Sequence, residues 1–109
     1  MLLTALSLAA ALTTAAPDPA TEGDLRCVAV IASVLGKGEV EGEVKAGLVG
    51  GMMFFVGRIE GREPTLDLKA ALRRTFNSPT ITQEIEDNRQ RCADIMQSRG
   101  NLLMSLGNE

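Results

Sequence analysis

The chain reads as blocks of apolar residues at helical spacing, set apart by short runs of Gly, Pro, Asn and Ser. Residues 22–35 form one block. Between 27 and 35 only Ser33 is polar, which predicts a mostly buried first helix. Thr21, with Asp24 three positions on, offers a variant capping box at its start, and Gly36-Lys37-Gly38 ends it. A second helix is predicted over 39–60, where Val40, Val44, Gly47, Leu48, Gly51, Phe54, Phe55 and Ile59 recur on one face. Residues 46–57 carry no charge. A stretch of that length spans only about 18 Å as a helix, which makes it a core element and not a bilayer span. A third helix starts at Pro64 or Thr65 and runs to residue 76, with Leu68, Leu72 and Phe76 as its apolar edge, and Asn77-Ser78-Pro79 breaks it. Thr80 and Gln83 form a capping-box pattern before a fourth helix over 81–106. On its wheel Ile81, Ile85, Cys92, Ile95, Met96, Leu102, Leu103 and Leu106 share about a third of the circumference, with Cys92 central. The pattern predicts an all-α fold, a small four-helix bundle.

The extreme N-terminus reads differently. Residues 2–12 are apolar or small and uncharged, and Thr-Thr-Ala-Ala-Pro follows. This is the layout of a signal peptide over residues 1–15, cleaved after Ala15 with Thr13 at the −3 position. Residues 16–109 then form a single helical domain. The missing Lys or Arg before the apolar run leaves open a start upstream of Met1. The competing reading is a buried N-terminal helix of the final fold. Lipid attachment at Cys27 is disfavoured because Arg26 stands where a small residue is required. Two cysteines in an exported chain predict one disulfide, Cys27–Cys92. Closing a loop of that length stabilises by about 4 kcal/mol in the chain-entropy account. No C-x-x-C spacing supports a redox pair. The expected location is periplasmic or secreted.

Composition removes most chemistries. The 109 residues hold no His, no Trp and no Tyr, with three Phe and a net charge of −3. Without His, nucleophile–His dyads and His metal sites are ruled out. Interspersed charge and few aromatics argue against nucleic acid. Gly36-Lys37-Gly38 lacks phosphate-loop spacing. The carboxylate pairs Glu41/Glu43 and Glu84/Asp87 sit at helix starts, where capping and the helix dipole account for them. The expectation is a protein that is not an enzyme, with no catalytic residue, no cofactor and no metal.

Two groups of residues stand out. The glycines of the second helix each cost helix propensity, by up to about 1 kcal/mol relative to Ala. Gly47 and Gly51 lie one turn apart on its core face. They read either as close packing against the first helix, the favoured account, or as a dimer seam or ligand groove. With Met52, Met53, Phe54 and Phe55 they form a candidate packing or interaction face; the methionines would give it an adaptable surface. Arg58, Asn88 and Arg99 are polar intrusions on apolar faces. They are candidate functional positions, unless the arginines snorkel outward or pair with Glu60, Glu63 or Glu109.

The segments Asp24 to Val30, Phe54 to Arg62, and Arg91-Cys92-Ala93 through Arg99-Gly100 to Leu106-Gly107 resemble a group of short, uncharacterised exported alphaproteobacterial proteins. These share a leader, an early cysteine, a mid-chain aromatic-Gly-Arg segment and a late cysteine followed by spaced glycines. The resemblance covers most of residues 16–109 and implies the same architecture. Phe54-Phe55 stands where tyrosine is usual in that group, which removes a hydroxyl. At the level of fold class alone the chain is similar to small periplasmic acid-stress chaperones of the HdeA type. Two functions are therefore expected in competition. One is a non-catalytic periplasmic binding or interaction module, chaperone-like, with a protein partner. The other is a structural envelope protein, a homodimer packing through the second helix.

Overall fold

Four helices account for most of residues 17–109, the part of the chain that the computed structural model describes. They are α1 (Pro19–Gly36), α2 (Gly42–Arg62), α3 (Leu68–Phe76) and α4 (Ile81–Gly107), and no strand occurs among the described residues. The all-α reading holds. The expected signal peptide lies outside the described residues.

Helix boundaries follow local chemistry that pattern alone did not resolve. α1 starts three residues earlier than expected. Pro19 opens it with a fixed φ and no N–H to satisfy, and the Asp18 carboxylate accepts from the Ala20 N–H at 2.8 Å. Thr21 is therefore not the cap. It lies inside the helix, fully buried. Gly38 ends the turn after α1 with φ +68°, and Gly42 opens α2 with φ +62°. Those left-handed conformations favour glycine, and they delay α2 by three residues from its expected start at 39. α3 begins at Leu68 because Asp67 caps it, accepting from the Ala70 N–H at 3.0 Å. The Thr80–Gln83 capping box does not form. The Thr80 hydroxyl donates to Glu84 instead, and Gln83 donates to Asp87.

The core is built on α1. This helix packs against each of the other three, and those three touch one another only at their margins. Leu25, Cys27, Val28, Ala29, Val30 and Ile31 are buried along α1, met by Phe55 and Ile59 of α2, Ala71 of α3 and Cys92 of α4. The disulfide joins Cys27 to Cys92 with Cα atoms 5.4 Å apart, and both residues are buried. It fixes α4 across the middle of α1.

Two faces differ from expectation. On α3 the buried positions are Ala71 and Thr75, while Leu68 and Leu72 are half-buried and Phe76 is exposed. Small residues let α3 approach α1, and the Thr75 hydroxyl is satisfied by the Ala71 carbonyl at 2.9 Å. On α4 the apolar stripe is buried only at Cys92, with Ile85, Ile95 and Met96 packed partly against the core. Leu102, Leu103 and Leu106 are exposed.

Candidate functional site

The two ends of α1 do different work. Its first half is pinned by polar contacts. Asp24, 1% exposed, places Oδ2 3.2 Å from both Arg58 Nε and Arg62 Nη2 of α2. Arg62 also donates to the Thr21 hydroxyl at 3.1 Å. Glu22 pairs with Arg74 of α3 at 3.1 Å, and Arg26 pairs with Glu84 of α4 at 3.1 Å. Glu84 also accepts from Ser78 and Thr80. Ser78 above all, then Arg26, hold its carboxyl below the ordinary value of 4.5. Charge-assisted bonds of this kind favour the ionised form.

The second half of α1 floors an open apolar groove. α2 and α4 flank α1 and come together where Gly51 faces Met96, whose side chain lies against the glycine backbone. On one side of that meeting point is a lobe of about 470 Å³. Val30, Ile31 and Val34 form its floor, Val44 and Leu48 one wall, and Ala93 and Met96 the other. Glu43 and Arg89 stand at its rim. A second lobe of about 330 Å³ shares Gly47 and Met96 with the first. It is lined further by Gly50, Gly51, Phe54, Arg99, Gly100 and Leu103. Both lobes are lined mostly by apolar residues.

The residues singled out in the sequence do not form one face. Gly47, Gly51, Phe54 and Arg99 come together at the second lobe. Phe55 is fully buried and Met52 packs against the core, so neither is on the surface of the groove. Met53 is 63% exposed and lines neither lobe. The expected packing of Gly47 and Gly51 against the first helix is corrected. Gly51 serves the approach of Met96 from α4, and Gly47 has nothing within 4 Å of where a Cβ would be. Arg58 neither snorkels nor pairs with Glu60, Glu63 or Glu109. It holds Asp24, with its guanidinium carbon 5.4 Å from the Phe54 ring centroid and 5.9 Å from that of Phe55. Asn88 is structural. Its Oδ1 accepts from Arg91 at 2.8 Å, which aims Arg91 Nη2 at the Gly23 carbonyl of α1, 2.9 Å away. Arg99 makes no ion pair among the described residues.

Asp24 was read in the sequence as part of a cap, and its role was missed. The signal was present on the partner helix: Arg58 and Arg62, four apart, share a face with Phe55 and Ile59. Two arginines on a core-facing stripe call for a buried acid on a neighbouring element. No group of His, Cys, Asp or Glu suited to a metal ion occurs among the described residues. None of the described helices is long and apolar enough to cross a membrane. Comparison with family models, curated proteins and solved structures finds no match for this chain.

Proposed function

We propose that this protein is a non-catalytic binding module, exported to the periplasm or beyond, that takes apolar segments of other proteins into the first lobe of the groove in a chaperone-like manner. One observation carries the reading. A lobe of about 470 Å³ lies open beside a core that is cross-linked and pinned at its other end. Apolar surface left wet forgoes burial worth roughly 25 cal/mol per Å², and exposed apolar patches mark sites of association. α1 holds α2 and α4 separately, and these two meet only weakly, at Gly51 and Met96. The lobe is open to solvent, which suits an apolar segment of a partner chain. The Cys27–Cys92 disulfide fits an oxidising compartment.

The test is a hydrophobic reporter dye together with suppression of aggregation of a heat-labile client, at neutral and acidic pH. Binding and protection are expected. Val44→Glu puts a charge into the lobe at a position already 60% exposed, so the fold stays intact. It is expected to weaken binding about tenfold or more, since an apolar contact of about 1.5 kcal/mol is replaced by a charge. No dye binding and no protection at any ratio overturns the reading.

A further inference from the structure

We infer that the second lobe, together with the guanidinium groups of Arg58 and Arg99, is a binding site for a long-chain fatty carboxylate. Arg99 is the starting point. It makes no ion pair among the described residues, and it lines two hollows at once. One is the second lobe, about 330 Å³, where Gly50, Phe54 and Leu103 contribute apolar walls. The other is an adjoining polar hollow of about 320 Å³, which Arg99 shares with Arg58, Asp94, Ile95 and Ser98. Arg58 meets Asp24 through Nε at 3.2 Å. A guanidinium carries five N–H donors, more than one carboxylate takes up, so Arg58 can serve a second acceptor. Phe54 connects the two hollows. It lines the lobe, and its ring centroid lies 5.4 Å from the Arg58 guanidinium carbon.

This layout fits one class of ligand. The lobe falls within the about 300–1,000 Å³ of small-molecule sites, which are mostly apolar with a few convergent polar groups. Here the polar groups converge at one place. The matching ligand is apolar along most of its length and anionic at one end. Charge selects the head group. Arg58 and Arg99 share their hollow with one carboxylate, Asp94, which leaves a single net positive charge. Adding the buried Asp24 and its second partner Arg62 keeps that balance at one. The Asp94 carboxylate already accepts from Gln90 at 2.8 Å. A singly charged carboxylate neutralises the site, and its two oxygens match the fork of a guanidinium. An uncharged chain, or an apolar stretch of protein, brings no counter-charge for Arg99. The inference goes beyond the binding reading and does not depend on it. Of the two lobes, Phe54, Arg99 and Leu103 line only the second, and Val44 and Leu48 only the first.

Calorimetric titration of the disulfide-bonded chain with laurate, below its critical micelle concentration, tests the site. Saturable binding is expected, about tenfold tighter than that of dodecanol, the uncharged chain of the same length, because one charge-assisted contact separates the two. Arg99→Gln is expected to remove that preference and leave dodecanol binding as it was. Gly50→Leu narrows the lobe. A Cβ at Gly50 meets nothing within 4 Å, so unchanged helicity is expected, with both ligands weakened by about tenfold or more. Val44→Glu, in the first lobe, is expected to leave laurate binding unchanged. A chain that binds no laurate overturns the inference. So does laurate held no more tightly than dodecanol, or laurate binding that survives both Arg99→Gln and Gly50→Leu. Loss of binding in Val44→Glu would place the acyl chain in the first lobe, which also overturns it. Dodecyl phosphate bound more tightly than laurate would assign the head-group site to a phosphate instead of a carboxylate. Laurate binding by a chain that protects no client and binds no dye in the first lobe sinks the proposed function alone. Client protection without laurate binding sinks this inference alone.

Discussion

Asp24 shows what a single side chain does here. It is buried and shared between Arg58 and Arg62, so one carboxylate ties the start of α1 to the end of α2. Asp24→Ala leaves two cations facing a closed space with no counter-charge. Removing one partner of a buried ion pair costs about 3–5 kcal/mol. The partial exposure of both arginines places the expected loss at the lower end, read as a drop in the urea midpoint. Glu84 makes a different prediction. Its carboxyl is held below the ordinary value by Ser78 and then Arg26. A carboxylate with a depressed folded-state value stabilises fully above its unfolded value, and that contribution is lost as pH falls through the folded value. Glu84→Gln is therefore expected to lower Tm at neutral pH, with the gap to wild type narrowing as pH falls below about 4.5. A gap that persists unchanged at pH 3 would show that Glu84 acts through packing alone.

The glycines of α2 are best judged as parts of an element. Gly50 and Gly51 are neighbours in sequence and opposites in environment. At Gly50 an added Cβ meets nothing, whereas at Gly51 it would lie 2.5 Å from the Met96 methyl. Gly50→Ala is expected to stabilise the fold by about 0.5–1 kcal/mol through helix propensity. Gly51→Ala gains the same propensity and must displace the end of a flexible Met96, so a smaller gain or none is expected. Thermal unfolding of the two variants side by side checks this. Neither outcome could be assigned from the sequence, where both positions are glycines in one uncharged run. The face of a helix that meets a neighbour depends on where the neighbour lies, and α4 approaches α2 from a side that the helical wheel does not specify.

For the whole molecule the disulfide dominates. The domain gathers its core around one helix, and three other helices depend on that helix separately. Cys27–Cys92 closes 65 residues of sequence separation and binds α4 to that hub. Its loss is expected to cost about 4 kcal/mol, a large part of the typical 5–15 kcal/mol of a small domain. Cys27→Ser/Cys92→Ser, or reduction, should bring the urea midpoint down sharply and expose the chain to protease. A reduced chain with an unchanged midpoint would mean that packing alone holds α4 in place.

The four helices, their order and the pairing of Cys27 with Cys92 were legible in the sequence, because 3.6-residue periodicity and a chain with only two cysteines leave few alternatives. Helix starts were read less well. Pro19, Asp67 and the positive-φ Gly42 decide them through local bonds that compete with better-looking caps nearby. The groove was legible only as an alternative reading of Gly47 and Gly51, which line its second lobe. Val30, Val34, Val44 and Leu48 carry the same apolar signature whether they are sealed in a core or line an open lobe. Periodicity fixes which face of a helix is apolar. Only the tertiary arrangement, in which α2 and α4 each pack on α1 but hardly on one another, decides that part of that face is left uncovered.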